Sequence, residues 1–155
     1  MGRSLSAKLV YGYDLGGGED EWNVREVDEY GGLTVAWFDE DDNDFVGAAQ
    51  RRLLAAAGFT ETWETRKDDG YYGREREAEA SLGVKFGWYG VSDYSEHVLV
   101  AHEIKVCGAE PVDLAGLAVH PNRAAWDAAL SSALEALGIT PTQEQPGWLL
   151  CAYYG

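Results

Sequence analysis

Cysteine, methionine, proline and histidine are all scarce in this chain of 155 residues, at two, one, four and three copies. Cys107 and Cys151 lie in apolar contexts at a spacing that matches neither a CxxC redox pair nor a zinc ligand set. A disulfide scaffold and a structural zinc are thereby excluded, and two buried, reduced thiols are expected, with one bridge between them left open. His97 and His102 are five residues apart in an expected strand, which sends them to opposite faces; His120 precedes Pro121 at a helix start. No metal and no cofactor are expected. Basic residues are also few: 12 Lys and Arg against 27 Asp and Glu leave a formal charge of −15. That balance opposes unaided binding to nucleic acid or to an anionic membrane. No apolar run reaches the roughly 18–20 residues of a membrane span. The first residues carry no apolar stretch with a cleavage site, so a cytoplasmic protein is expected. Catalytic signatures are missing too, with no GxSxG, HExxH or Ser-His-Asp pattern. A non-enzymatic protein is the expectation.

What is present is the composition of an ordinary globular domain, 46% hydrophobic and 25% charged. The length suits one domain with a core of its own. Ser4 to Tyr11 aligns with Ser81 to Trp88 at an offset of 77, and both read as half-buried strands. Leu5, Ala7, Leu9 and Tyr11 share one face, as do Leu82, Val84, Phe86 and Trp88; Lys8 and Lys85 take the other. A helical stripe from Ala125 to Leu137, entered at Pro121 and stopped at Gly138, has a counterpart from Phe45 to Ala57, with Asp44 as N-cap and Gly58 as stop. Both copies close on Tyr-Tyr-Gly, at Tyr71-Tyr72-Gly73 and Tyr153-Tyr154-Gly155.

These landmarks predict an α+β fold built as a tandem duplication of a β-β-β-α-β unit. Further strands are expected at 22–27, 33–38, 96–107 and 112–119. The whole is then about eight strands and two helices with pseudo-twofold symmetry, one domain over 1–155 made of repeats at about 4–73 and 81–155. Read from Leu33 onward, the element order resembles a circularly permuted pair of glyoxalase-like (vicinal oxygen chelate) modules, which close around a ligand or metal.

Three groups of residues can carry function. Asp39, Glu40, Asp41, Asp42 and Asp44 form an acidic run that lacks the Gly and Glu an EF-hand needs at its sixth and twelfth positions. It is a candidate protein-binding surface, weighed against a solvated helix start. Lys8, Lys85, Glu26, Glu103 and Trp88 are candidates for a ligand pocket between the repeats. The lysines and Arg25 can meet phosphate, an aromatic face can stack a base, and Glu26 and Glu103 stand 77 residues apart at matched positions. The loop Asp14-Leu15-Gly16-Gly17-Gly18 has no GK[ST] and no helix behind it, so it reads as a hairpin and not as a phosphate cradle.

The opening Ser4-Leu5-Ser6-Ala7-Lys8-Leu9-Val10-Tyr11-Gly12-Tyr13-Asp14-Leu15-Gly16-Gly17 resembles the start of small acidic proteins of actinobacterial phages. Arg51-Arg52-Leu53-Leu54-Ala55-Ala56-Ala57 is similar in style to products of GC-rich genomes. The resemblance implies a cytoplasmic phage accessory protein and brings no activity or site residue with it. Three functions are weighed. The first is binding and inhibition of a host or defence protein by acidic mimicry of nucleic acid. The second is sequestration of a nucleotide between the repeats. The third, implied by the glyoxalase-like order, is a metal enzyme using Glu26, Glu103 and a histidine.

Overall fold

The computed structural model describes residues 4–42, 44–106 and 108–154. Four strands form one mixed sheet: β1 (Leu5–Gly16), β2 (Lys85–Val91), β3 (Glu96–Lys105) and β4 (Gly147–Tyr154). Four helices accompany it: α1 (Phe45–Ala56), α2 (Tyr71–Ser81), the short α3 (Leu114–Ala118) and α4 (Arg123–Leu137). The strands are hydrogen-bonded in the order β1-β3-β2-β4 and β4 returns to β1, closing a small barrel. β1 runs antiparallel to both β3 and β4 over most of its length. β2 is antiparallel to β3 but meets β4 at only two positions, in parallel, Gly90 with Tyr153 and Val91 with Tyr154.

β1 is buried on both faces, and its period-2 alternation divides the protein into two cores. Tyr11, Tyr13 and Leu15 face the helices, where they join Phe45, Leu53, Leu99, Trp126, Leu130 and Leu137. Val10 faces the barrel interior with Val98, Val100 and Cys151, and Tyr89 and Leu149 pack against that smaller core. Gly12 is required where β1 crosses β3, because a Cβ there would lie 1.8 Å from the Leu99 carbonyl oxygen. Beyond Gly12 the strand has no β4 partner, and a side chain replaces it. The Gln143 amide accepts from the Asp14 N–H at 3.1 Å and donates to the Gly12 carbonyl at 3.0 Å, as a paired strand residue would.

α1 and α4 form where the apolar stripes require them. Asp44 caps α1 by accepting from the Gly47 N–H at 3.0 Å. α4 ends on Gly138 in the left-handed conformation, φ +67°. Each buries one face, Phe45, Ala48, Ala49, Leu53 and Leu54 in α1 and Trp126, Leu130, Ala133 and Leu137 in α4.

The expected duplication does not exist. The fold is α+β, but among the described residues it has four strands instead of about eight and four α-helices instead of two. Ser81 closes a helix and Gly83 has φ +72°, so β2 begins only at Lys85 and is not the counterpart of β1. Tyr71-Tyr72 opens α2, whereas Tyr153-Tyr154 closes β4. The run Arg74-Glu75-Arg76-Glu77-Ala78-Glu79-Ala80 favours helix over any strand. Arg74 pins its start by pairing with Glu61 at 2.5 Å and with Asp68 at 2.8 Å. The stretches 22–27 and 33–38 make only isolated bridges, and 114–118 is α3. In the first two, the bonded N–H groups reach scattered carbonyls instead of one neighbouring strand, Asn23 that of Leu15, Arg25 that of Thr140 and Thr34 that of Glu26, while Glu40 takes the Leu33 N–H and Asp28 those of Tyr30 and Gly32 in the turn between. A pocket between two repeats, and a glyoxalase-like pair of modules, fall with the duplication.

Candidate functional site

The connection from β1 to α1, residues 17–44, contains no strand and, besides a single 3-10 turn at Glu40–Asp42, no helix among the described residues. It carries eleven acids against the single Arg25, a net of −10 out of −15 for the whole chain. Connections of this length with little regular structure are uncommon in compact domains and are usually functional. Apolar side chains hold it to the main core: Val24 and Leu33 are buried, and Trp22, Val27, Val35, Trp37 and Phe38 pack against them. The Trp37 indole donates to the Leu137 carbonyl at 2.7 Å, and Arg25 N–H to that of Thr140 at 2.9 Å. Glu19, Asp20, Glu21, Asp28, Glu29, Asp39, Glu40, Asp41 and Asp44 are exposed on the other side.

Several of these carboxylates are fixed in place. Asp39 accepts from the Asp41 N–H at 3.0 Å, Glu40 from Leu33 at 3.1 Å, and Asp44 from Gly47. The side chain of Asp42 lies outside what is described. Asp28 accepts from both Tyr30 and Gly32, closing a tight turn whose tip is Tyr30, 88% exposed. The run at 39–44 is thus one part of a larger acidic face with an aromatic residue at its tip.

Of the five expected pocket residues, four meet inside or beside the barrel and one does not. Lys8 is only 5% exposed, and its ammonium lies 3.6 Å from Glu103. The other Glu103 oxygen accepts from Lys85. The Lys8 ammonium also sits 4.8 Å from the centre of the Tyr153 ring and 5.7 Å from that of Trp88. Burial works against charge on Glu103, but the Lys85 hydrogen bond and the ammonium groups of Lys85, Lys8 and Lys105 outweigh it and lower its carboxyl. Glu26 is elsewhere, accepting from the Thr140 N–H at 2.5 Å. Arg25 is exposed on the acidic connection.

On the opposite side of the barrel interior, the Tyr89 hydroxyl donates to the Asp14 carboxylate, 2.9 and 3.0 Å from its two oxygens. Burial, the bond to Asp14 and the nearby Glu96 push the Tyr89 hydroxyl up. The Cys151 thiol is raised chiefly by burial, and Cys151 is free; Cys107 is outside the described residues. Because β2 and β4 touch at two positions only, the barrel is splayed there. The opening is a cleft of about 380 Å³ lined by Asp14, Tyr89, Val98, Leu149, Cys151 and the backbone of β4. Asp14 was legible from the alternation of Lys8, Val10, Gly12 and Asp14 on one face of β1. Tyr89 and Gln143 had no such signal.

The histidines are placed differently from the expectation. The pairing of β1 with β3 slips between Tyr11 and Gly12, leaving Ala101 as an extra residue in β3. This bulge resets the alternation, so His97 and His102 both lie on the helix-facing side. His97 stacks on Trp22 at 5.3 Å, and His102 on Trp126 at 4.7 Å. His120 shares the Trp126 ring at 4.5 Å. Among the described residues no group of three or more His, Cys, Asp or Glu side chains could hold a metal ion. No helix among them is long and apolar enough to cross a membrane.

No protein-family model, no curated protein and no solved structure matches the chain. The class that fold and site define is a small α+β protein in which a splayed four-stranded barrel carries a long acidic connection.

Proposed function

We propose that the protein is a non-catalytic binding protein whose acidic 17–44 connection docks onto a basic partner protein. The observation that carries this reading is the Asp28 turn presenting Tyr30 at the tip of a segment with a net of −10. Exposed tyrosines on rigid supports are effective interface anchors, because little side-chain entropy is lost on binding. Carboxylates held by backbone N–H groups are likewise organised before the partner arrives, and charge of one sign speeds encounter with a basic surface. The N-terminal resemblance supplies the context: a phage accessory protein acting in the host cytoplasm on a host or defence protein, in whose nucleic-acid-binding site the acidic face imitates nucleic acid. Capture of a nucleotide by Lys8 and Lys85 has weaker support, since both ammonium groups are already committed to Glu103. A metal enzyme using Glu26 and Glu103 has less, since Glu26 is bound to Thr140 and Glu103 to the two lysines.

The test is an affinity pull-down from an actinobacterial lysate, eluted along a salt gradient. It is run with the wild type, with Tyr30→Ala, and with a variant carrying Asp39→Asn, Glu40→Gln, Asp41→Asn, Asp42→Asn and Asp44→Asn. One nucleic-acid-handling or defence protein is expected on the wild type, released at moderate salt and missing from both variants. Capture that is the same on all three proteins overturns the reading.

A further inference from the structure

The open side of the barrel has the makings of a second recognition element. β4 pairs with β1 along its whole length, yet on its other side it meets β2 only at Tyr153 and Tyr154. β2 likewise pairs with β3 through Lys85–Tyr89 and has no backbone partner on its other side there among the described residues, although its Trp88 ring packs 5.4 Å from that of Tyr153 at the closed end. No described loop or side chain hydrogen-bonds to the backbone of 85–89 or 147–152 across this gap. Natural sheets normally cover, shorten or charge such edges, since unpaired N–H and C=O groups invite another strand. Here two edges diverge from a common point and leave a slot between them.

The lining says what kind of strand fits. The Trp148 indole is turned to the other face, donating to the Leu117 carbonyl and packing 5.4 Å from Tyr11. Leu150 is 77% exposed and pairs with Leu9 on that same outer face. Alternate residues of β4 therefore reach the slot through their backbone alone. The floor is apolar, from Val98, Leu149 and Cys151, and one wall carries the Asp14 carboxylate with Tyr89 against it. Asp14 has no cationic partner among the described residues. Beside Tyr89 lies buried Glu96, which accepts from the Gly18 and Asp20 N–H groups and so ties the start of the acidic connection to the rim of the slot. A wall of free strand edge, an apolar floor and a carboxylate that Tyr89 and the Gly16 N–H hold in place but no described cation neutralises together select a ligand with a peptide backbone and a positive side chain.

We propose that the slot between β2 and β4 receives an extended peptide segment of the partner, added as a strand along β4, with a lysine or arginine side chain directed at Asp14. This rests on the reading of the protein as a binder of a basic partner, and it names how part of that partner is held. Main-chain hydrogen bonds supply the affinity and the alternate side chains the selectivity, as in other cases of strand addition.

The experiment is an amide NMR titration of the 15N-labelled full chain with a seven-residue peptide alternating valine and lysine, acetylated and amidated. Shifts are expected at 85–89 and 148–152, with slowed hydrogen exchange along β4. Asp14→Asn keeps the shape of the side chain and is expected to weaken binding about tenfold. Two further peptides test the idea without altering the protein. One carries N-methyl groups on alternate amides, keeping its charge but losing strand donors, and is expected to leave 148–152 unshifted. The other has glutamate in place of lysine and is expected not to bind. Undiminished binding of the N-methylated peptide overturns the slot. So do shifts confined to 17–44, which overturn the slot while leaving the acidic-face reading standing. Absence of any shift at 85–89 and 148–152 at millimolar peptide overturns it as well.

Discussion

Lys8 and Glu103 should respond to mutation very unequally, although they form one ion pair. Lys8 is 5% exposed within the barrel, and the Glu103 side chain is 11% exposed between Lys8 and the largely exposed Lys85. In Glu103→Gln the Lys8 ammonium stays buried without a carboxylate. Removing one partner of a buried pair costs about 3–5 kcal/mol; the lower end applies here, because the glutamine oxygen and the Tyr153 ring still face the ammonium. In Lys8→Met the buried charge itself is gone. Glu103 keeps Lys85, and the methionine chain lies along Trp88 and Tyr153, so the change should stay within about 1 kcal/mol of the wild type. For a chain of this size the glutamine variant should melt roughly 6–12 °C lower and the methionine variant within about 4 °C. Urea and thermal unfolding followed by tryptophan fluorescence measure both. The acid limb adds a check of sign. Glu103 is lowered in the folded state, so its contribution is present above the ordinary carboxyl value of 4.5 and is lost as pH falls through the folded value. Glu103→Gln should flatten that limb. Equal losses in the two variants, or a larger loss for Lys8→Met, would refute the idea that the lysine depends on Glu103 and not the reverse.

The remaining predictions concern the supports of the two sites. His102 is lowered from 6.5 by burial, with His120 and Lys85 contributing. Its contribution to stability is therefore full above pH 6.5 and declines as pH falls through the folded value, and His102→Phe should remove that part of the decline in urea midpoints between pH 7.5 and 5.5. Asp44→Ala should cost about 1 kcal/mol through loss of the α1 cap, and Asp44→Asn only a few tenths, by chemical denaturation. Gln143→Glu cannot donate to the Gly12 carbonyl and should cost about 1–3 kcal/mol, with faster hydrogen exchange at Asp14.

How much of this was legible depends on how strongly each segment's own pattern binds it to one structure. α1 and α4 carry full apolar stripes with a cap and a stop, and both form within two residues of expectation. β1 and β3 alternate clearly and are strands. Where the two halves of the chain look alike, short likenesses stand for unequal environments. Leu82 and Val84 fall where Leu5 and Ala7 do in an alignment, but a positive-φ glycine stands between them and β2 starts later. Trp22, Val24 and Val27, then Leu33, Val35 and Trp37, look like strand faces because apolar anchors of an irregular segment have much the same spacing. What sets them apart from a ladder is that their N–H groups reach scattered carbonyls, Asn23 that of Leu15, Arg25 that of Thr140 and Thr34 that of Glu26, and no single neighbouring strand. The histidine faces depended on one extra residue in β3, which no local pattern announces.

The acids that help to hold the connection are also what make it usable. A segment of 28 residues with little regular structure must satisfy its backbone some other way, and here scattered backbone carbonyls and the carboxylates of Asp28, Asp39 and Glu40 take its N–H groups, while Asp44 caps the helix that follows. Each such bond fixes a negative charge at a set place on the surface, so the solution to a folding problem is also a rigid acidic face. At the barrel the situation is reversed. β1 pairs with β3 from Lys8 to Gly16 and with β4 from Leu5 to Gly12, and Gln143 completes its edge where β4 has not yet begun. β2 and β4 receive no such help, and their free edges lie beside the Asp14 carboxylate, which has no cationic partner among the described residues. A protein that seals one edge with a side chain and leaves the adjacent pair open, with the acidic connection anchored at its rim through Glu96, places its unmet hydrogen-bonding capacity and its unmet charge on the same side.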